Sequence, residues 1–136
     1  MKVDRSRITI DGCMSERIKQ IFGKKPGLNV KGSLWIEHNE VPFFGPGPVE
    51  LLERIEESGS ISTAAKQMNM SYKKAWEMIS KLNAQTSNPV VIVKAGGKKG
   101  GGSTLTEEAH RLIKYHRDLR SRFKTFLANE TARLDE

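Results

Sequence analysis

Two short helical segments separated by a tight turn constrain the fold of this chain more than any other feature of its sequence. They occupy the stretch from Ile61 to Ile79. Ala65 is small enough to lie where two helices cross steeply, and Asn69 tolerates the left-handed backbone that a tight interhelical turn requires. Apolar residues suited to locking such a pair together occur at Met68, Met70, Ala75 and Met78. The stretch therefore predicts a helix-turn-helix.

Capping residues delimit these two helices and another helix that precedes them. A Gly-Pro-Gly-Pro run leads into a helical pattern over Pro48–Ser58, with Pro48 suited to the first helical position, and Gly59 is a good C-terminal stop. Ser60 or Ser62 can cap the second helix. Ser71 can cap the third helix, which we expect to run to about residues 84–86.

Two hairpins are predicted on either side of the three helices. Leu28–Phe44 is rich in β-branched and aromatic residues, and His38-Asn39-Glu40 can supply its turn. Pro89–Thr104 contains a strong strand signal in Val90–Val93 and ends in a glycine-rich tip. Three helices followed by a glycine-tipped hairpin are the plan of a winged helix-turn-helix.

A long helix follows the second hairpin. Thr106 can cap it, and Glu107 and Glu108 are favourable near the positive end of the helix dipole. The pattern continues to about Asn129, or roughly 35 Å. The expected fold class is α+β, mainly α: a winged helix-turn-helix with an N-terminal β-hairpin and a long C-terminal helix. We expect an N-terminal segment of uncertain structure over residues 1–29, the hairpin and winged helix-turn-helix over 30–106, and the C-terminal helix over 107–136.

Positive charge is concentrated where the helix-turn-helix is predicted. The 136 residues carry a formal net charge of +7. Residues 45–59 have a net charge of −3, whereas residues 60–105 have a net charge of +6. A basic block beside an acidic one is typical of a protein that binds a polyanion. A solvated lysine-rich surface is the alternative interpretation of the charge alone.

The predicted third helix divides into a core side and a solvent side on a helical projection. The core side holds Tyr72, Ala75, Ile79 and Leu82; the solvent side holds Lys73, Glu77, Ser80, Lys81 and Ala84; Lys74 and Trp76 lie on opposite flanks. Lysines with one carboxylate and one hydroxyl can meet phosphates and base edges in a major groove. Tyr72 has two interpretations, a DNA contact or a core residue with its hydroxyl at the edge. The predicted DNA-binding residues are Ser62, Thr63, Ser71, Tyr72, Lys73, Lys74, Glu77, Lys81, Lys98, Lys99, Gly100 and Ser103.

The glycine-rich tip, Gly96–Gly102, has three interpretations. As a DNA-binding wing, it lets the backbone approach phosphates while Lys98 and Lys99 supply charge. A nucleotide phosphate loop would need G-x-x-x-x-G-K-[ST] between a strand and a helix. Gly101 does follow Gly96 by five positions, but the next residue is another glycine rather than lysine, so the motif fails. A mobile hairpin end is the remaining alternative.

An apolar stripe along the C-terminal helix predicts dimerisation. A helix of this length would protrude from so small a domain, and a second copy of the chain is the simplest cover for its stripe. Packing of the stripe on the hairpin of its own chain is the alternative. The predicted dimer contacts are Leu112, His116, Leu119, Phe123 and Phe126.

No pattern typical of catalysis or of metal binding occurs in the sequence. His38, His110 and His116 lack metal-ligand spacing, and Cys13 is the single cysteine. We therefore expect no enzyme activity, no cofactor and no metal. No apolar run approaches the roughly 18 residues that span a bilayer. The N-terminus lacks a secretory pattern, so we expect a cytoplasmic protein without membrane contact.

Three motifs resemble the DNA-binding domain of a known family. They are Gly59–Ala65, the S-Y-K-K-A-W start of the third helix at Ser71–Trp76, and the G-G-K-x-G-G-G tip with its continuation to Thr106. Together they resemble the N-terminal DNA-binding domain of the ModE family of molybdate-responsive transcriptional regulators, over about Leu34–Ala109. The helix-turn-helix is also similar to that of LysR-type regulators. The resemblance implies a winged-helix dimer on a palindromic operator, with the third helix in the major groove.

The resemblance does not extend to molybdate sensing. Full-length members of the family carry C-terminal molybdate-binding domains that are small β-barrels, whereas the residues after the tip of this chain predict a helix. We therefore expect a regulator that binds double-stranded DNA as a homodimer and does not bind molybdate through this chain. A protein-interaction module that uses the C-terminal helix and the N-terminal hairpin is the alternative. A third hypothesis is an enzyme that uses the glycine-rich tip for a phosphorylated ligand.

Overall fold

Along the chain, an antiparallel hairpin precedes three helices and a second antiparallel hairpin follows them. A long helix comes last. The computed structural model describes residues 20–23, 26–94 and 102–135. Its elements are β1 (Ile36–His38), β2 (Val41–Phe44), α1 (Pro46–Ser58), α2 (Ile61–Gln67), α3 (Tyr72–Gln85), β3 (Val91–Val93), β4 (Ser103–Leu105) and α4 (Glu107–Arg133). This order confirms the predicted class, a mainly helical α+β fold with a winged helix-turn-helix.

The first hairpin is shorter than predicted. Its strands pair His38 with Val41, and the two residues between them, Asn39 and Glu40, have φ of 48° and 69°. Positive φ at both central positions is what a two-residue turn of type I′ requires. Residues 28–35 lie outside the strands, contrary to the prediction. The run Lys31-Gly32-Ser33 is poorly suited to a strand, and the N–H of Val30 donates to the side chain of Thr131 (2.9 Å) instead of to a β-ladder.

Helix α1 begins two residues earlier than predicted. Gly45 precedes the helix in an extended conformation, so Pro46 rather than Pro48 occupies the first helical position. Pro48 still lies in the first turn, where backbone N–H groups have no partner within the helix and a missing one costs little. Gly59 ends the helix with φ of 69° and donates its N–H to the carbonyl of Ile55 (2.7 Å), which confirms its predicted role as a stop.

Serine caps fix the starts of α2 and α3. The side chain of Ser60 accepts the N–H of Thr63 (3.1 Å), so Ser60 and not Ser62 caps α2. The side chain of Ser71 accepts the N–H of Lys74 (3.1 Å), which confirms the predicted cap of α3.

The crossing of α2 and α3 is built from small side chains. Ala64, Ala65 and Ala75 are all almost fully buried, and Asn69 takes the left-handed conformation (φ 54°) in the turn between the two helices. Met70 packs against the core from that turn. The turn residue and the small contact residues predicted from the sequence are therefore confirmed.

One hydrophobic core joins the three helices to both hairpins and to the start of α4. Its buried residues are Phe44, Leu51, Leu52, Ile55, Ile61, Ala64, Ala65, Ala75, Ile79, Leu82, Val90, Val91, Ala109 and Ile113. Because α1 adds Leu51, Leu52 and Ile55 to this core, the helix-turn-helix is held by α1 as well as by its own side chains.

The second hairpin is fastened at its base. Strand β3 pairs with β4, Val91 facing Leu105, and Thr106 Oγ1 donates to the carbonyl of Pro89 (2.8 Å). The N–H of Ser103 donates to the carbonyl of Gly59 (2.8 Å), which connects the hairpin to the end of α1. The tip, residues 95–101, lies outside the described residues.

Helix α4 is 27 residues long and ends at Arg133, somewhat beyond the predicted end. At about 1.5 Å per residue it measures roughly 40 Å. Thr106 caps it as predicted, since its Oγ1 accepts the N–H of Ala109 (3.4 Å). The chain divides into two compact units: the first unit comprises Ser33–Arg120, and the second comprises Met1–Gly32 with Ser121–Glu136. The helix-turn-helix, both hairpins and the first half of α4 thus belong to the first unit.

Candidate nucleic-acid interface

The outer side of α3 is polar and basic. Ala75, Ile79 and Leu82 are buried, as the helical projection predicted, whereas Lys73, Lys74, Glu77, Ser80 and Lys81 are exposed. The exposed set carries three lysines against one glutamate. A helix with its apolar side fixed in the core presents this basic side to whatever approaches from solvent.

Tyr72 lies on the solvent side and not in the core. Its side chain is 53% exposed, so the core interpretation of this residue is wrong. The physical reason is its position: as the first residue of α3 it stands at the edge of the core arc and at the helix end. Trp76, one turn further on, is 41% exposed. Residues four apart share a helix side, so Tyr72 and Trp76 form an aromatic flank beside the lysines. Trp76 was not among the predicted contacts, although its spacing of four residues from Tyr72 indicated that the two lie on the same side of the helix.

The lysines of α3 have no acidic partner among the described residues. Every ion pair in that part of the chain involves α1 or α4, and none involves Lys73, Lys74 or Lys81. Glu77 lies one turn from each of these lysines without pairing with any of them. The positive charge of α3 is therefore available to an external anion.

Three of the four acids in the block noted in the sequence have partners within the first unit. Glu50 pairs with Arg54 of the same helix (2.8 Å), Glu56 contacts Nε2 of His110 (2.5 Å), and Glu53 approaches Arg117 at 4.0 Å. Two of these three contacts join α1 to α4. Glu50, Glu53 and Glu56 of α1 thus have local partners, in contrast to the lysines of α3.

The start of α2 adds hydroxyl groups to the candidate surface. Ser62 and Thr63 are both exposed, as is Lys66 at the other end of the helix. In a helix-turn-helix the first helix of the motif crosses the nucleic-acid backbone. Ser62 and Thr63, in the first turn of α2, are therefore suited to phosphate contacts.

The second hairpin contributes fewer described residues than predicted. Ser103 is buried, with 5% of its surface exposed, because its N–H is held by Gly59 at the base of the hairpin. We therefore leave Ser103 out of the candidate surface. Lys94 is exposed at the end of β3. Lys98, Lys99 and Gly100 lie in the tip, outside the described residues.

Some residues of the predicted dimer stripe on α4 are buried within the chain, and others are exposed to solvent. His116 is buried in the first unit, and Leu112 packs half-buried against the same core. We therefore leave His116 out of the candidate dimer surface. Leu119 and Phe123 are half-buried, and Phe126 is 55% exposed. The rings of Phe123 and Phe126 stack with centroids 6.3 Å apart.

The described part of the chain shows neither a metal cluster nor a membrane segment. Within residues 20–23, 26–94 and 102–135, no three His, Cys, Asp or Glu side chains come together as metal ligands. None of the helices described there has the length and apolar character needed to cross a bilayer.

Comparison with known proteins assigns the same region. Residues 48–110 match the family described as "Bacterial regulatory helix-turn-helix protein, lysR family". The chain is 40% identical over 88 residues to the "Molybdenum transport protein ModE" of Azotobacter vinelandii, a match that covers 65% of this chain and 33% of that protein. It is 38% identical over 88 residues to the "Transcriptional regulator ModE" of Haemophilus influenzae, covering 65% of this chain and 34% of that protein.

A third relative carries a more specific description. The "DNA-binding transcriptional dual regulator ModE" of Escherichia coli K12 is 42% identical over 74 residues, which cover 54% of this chain and 28% of that protein. The chain spans about a third of the length of the curated relatives that it matches. The family match over residues 48–110 includes most of α1, all of α2 and α3, and strands β3 and β4. Over residues 48–110 the chain is thus similar to bacterial regulatory helix-turn-helix proteins, and over 74 to 88 residues it is similar to ModE proteins.

Proposed function

We propose that this chain is a transcription regulator that binds double-stranded DNA sequence-specifically as a homodimer. Helix α3 enters the major groove, the start of α2 meets the phosphate backbone, and the tip of the β3–β4 hairpin acts as a wing on the backbone. The observation that supports this most strongly is the exposure of Lys73, Lys74 and Lys81 without an acidic partner in the described part of the chain. The names of two relatives, a transcriptional regulator and a DNA-binding regulator, agree with it.

The proposed DNA contacts follow the sequence prediction, with Ser103 removed. Ser71, Tyr72 and Lys73 lie at the start of α3, the part of a recognition helix that reaches base edges. In this proposal Glu77 accepts a hydrogen bond from cytosine, and the lysines bind phosphates or guanine. The complete set is Ser62, Thr63, Ser71, Tyr72, Lys73, Lys74, Glu77 and Lys81, with Lys98, Lys99 and Gly100 of the tip.

A matched pair of variants tests the DNA surface. A duplex selected from a random library by the wild-type protein serves as the probe, and its affinity is measured by fluorescence anisotropy at low salt. We expect Lys73→Gln/Lys74→Gln to weaken binding at least about tenfold, equivalent to roughly 1.4 kcal/mol. Lys114→Gln/Lys124→Gln on exposed positions of α4 removes the same charge and serves as control. Equal losses in the two variants would exclude α3 as the contact surface.

The proposal of a homodimer rests on large apolar side chains that are exposed to solvent. In the second unit Ile21, Phe22 and Phe126 are 73%, 45% and 55% exposed, and large apolar surfaces of this kind commonly mark protein interfaces. Leu112, Leu119, Phe123 and Phe126 remain the proposed contacts from α4. Sedimentation equilibrium at micromolar concentrations should give twice the chain mass, and Phe126→Ser should shift the mass towards a monomer. A monomeric wild-type protein would refute the homodimer.

A protein-interaction module is the second candidate function. The same exposed apolar residues favour it, and the basic side of α3 would then serve solubility only. A gel shift with the selected duplex, in the presence of competitor DNA, separates the two functions. The molybdenum in the names of some relatives is said of those proteins, and molybdate binding is not part of the proposal for this chain.

A further inference from the structure

An open cleft of about 410 Å³ lies in the first unit, beside α3. Trp35, the residue before β1, and Phe43 of β2 line it, and the start of α1 contributes to its lining. Met70, Lys74, Met78 and Lys81 line it from α3 and from the turn before that helix. The DNA-binding proposal uses two of these residues, the lysines, and gives no role to the apolar ones.

The size and lining of the cleft are those of a small-molecule site. Such sites occupy about 300–1,000 Å³ and combine mostly apolar and aromatic side chains with a few polar groups that orient the ligand. Here two aromatic rings and two thioethers form the apolar part. Methionine adapts to ligands of irregular shape, and flat rings favour flat ligands.

The ring of Trp35, one of the two aromatic rings that line the cleft, packs directly against Gly45. The indole ring of Trp35 lies against Gly45 so closely that a Cβ added there would stand 2.7 Å from Cε2 of the ring. Any side chain at position 45 would occupy the volume that the ring fills. Trp35 is nevertheless 48% exposed, because its other surface lies open. One face of the ring is thus packed against Gly45, and the exposed remainder is available to a ligand.

The charge of the cleft is positive. Lys74 and Lys81 are seven residues apart, so they lie on one flank of α3, about 10 Å apart along the helix axis. No acidic side chain lines the cleft, and neither lysine takes part in an ion pair within the described part of the chain. An anionic group on a ligand would therefore meet two cations, while its apolar body would meet the rings and thioethers.

We propose that this cleft binds a small organic anion with a flat apolar body, an aromatic carboxylate being the simplest example, and that this ligand competes with DNA for Lys74 and Lys81. The first part stands on the cleft alone. The second part rests on the proposed function, because the same two lysines are proposed to contact phosphates. A ligand held there neutralises the positive charge of α3 and lowers the affinity for DNA.

Calorimetric titration with 2-naphthoate, without DNA, tests the first part. We expect one naphthoate per chain. The neutral analogue 2-naphthalenemethanol and inorganic sulfate should each bind at least about tenfold more weakly, a difference of roughly 1.4 kcal/mol. Lys74→Gln/Lys81→Gln should weaken naphthoate binding by a similar factor, whereas Lys66→Gln/Lys73→Gln, outside the cleft, should leave it within about twofold. No binding at millimolar concentrations, or equal binding of naphthoate and the neutral analogue, would overturn the proposal.

Competition is tested separately by anisotropy of the labelled duplex. Saturating naphthoate should lower the duplex affinity of the wild-type protein, and saturating sulfate at equal ionic strength should have a smaller effect. Unchanged duplex affinity at saturating naphthoate would refute the competition. If the wild-type protein bound no duplex at all, the DNA-binding proposal would fail while the calorimetric result would still decide whether the cleft is a ligand site.

Discussion

The imidazole of His116 meets the ring of Phe44 edge-on, with ring centroids 5.4 Å apart and planes at 89°. Phe44 is fully buried and His116 is 3% exposed. Nε2 of the imidazole is buried and has no hydrogen-bond partner among the described residues. His116 therefore fills space in the core much as an apolar residue would, at the cost of one unpaired polar atom.

We expect the burial of His116 to make the stability of the fold depend on pH. Burial of the imidazole lowers the pKa of His116, Arg120 lowers it further, and Glu53 raises it in part. The unfolded chain then binds a proton at a higher pH than the folded protein does, so the neutral core is fully stable only above about pH 6.5. We expect the free energy of unfolding in urea to decrease as the pH is lowered through that value.

Two histidine variants isolate the effect. In His116→Leu the unpaired nitrogen is gone, so we expect stability near that of the wild type at about pH 8 and a smaller loss at about pH 5. His110→Gln removes an exposed histidine instead, and it should retain the part of the pH dependence that His116 causes. An unchanged pH dependence in His116→Leu would show that the buried imidazole is not its source.

The cap of α2 can be separated from a neighbouring serine. Ser60→Ala removes the acceptor of the Thr63 N–H, and we expect a loss of about 1 kcal/mol in the free energy of unfolding. Ser62 is exposed within the helix, where alanine is the better helix former, so Ser62→Ala should be neutral or slightly stabilising. Urea denaturation of both variants measures this, and similar losses would contradict the assignment of the cap.

Gly45→Ala should displace the ring of Trp35. The new methyl group overlaps the ring, and overpacking of this kind costs about 1–3 kcal/mol unless the ring moves away. Since the ring is half-exposed, we expect the ring to move, with a modest loss of stability and a red shift of tryptophan emission measured in a Trp76→Phe background. Gly47→Ala is the matched control, because a Cβ there meets the end of Met78 at an ordinary 3.6 Å. Identical emission from the two alanine variants would contradict the predicted displacement.

The salt dependence of DNA binding should report the lysines of α3. Each phosphate contact contributes about −0.9 to the slope of log affinity against log salt concentration. We expect Lys73→Gln, Lys74→Gln and Lys81→Gln each to reduce the steepness of that slope by up to about one. Glu77→Gln should leave the slope unchanged and alter the preferred sequence instead, as measured by repeating the selection from a random library. A slope that no lysine variant changes would place the phosphate contacts elsewhere.

Local chemistry made much of the fold predictable. Ser71, Asn69 and Gly59 act within a few residues of their own positions, so the ends of the helices follow from neighbouring sequence. The limits of β1 did not follow, because Val30, Leu34 and Trp35 are strand-forming residues, whereas Lys31-Gly32-Ser33 between them is poorly suited to a strand. The early start of α1 at Pro46 was missed because two prolines in one turn both suit a helix start.

The candidate surface was predictable only where periodicity decides exposure. The lysines of α3 lie opposite its buried side, as the helical projection indicated. Ser103 and His116 were misplaced because their burial depends on distant partners, Gly59 for the first and Phe44 for the second. The cleft could not be anticipated, since it joins Trp35, just before the first hairpin, to Met78 of a helix far along the chain.

The base of the second hairpin has a consequence for changes made in its tip. The N–H of Lys94 donates to the carbonyl of Gly102 (2.8 Å), and the next residue, Ser103, is bonded to Gly59. Both ends of the tip are thereby clamped before the tip begins, and doubling the length of a closed loop costs only about 0.6 kcal/mol. We therefore expect residues inserted into the tip, or a tip exchanged for another in a chimera, to cost little stability and to leave the helices as they are.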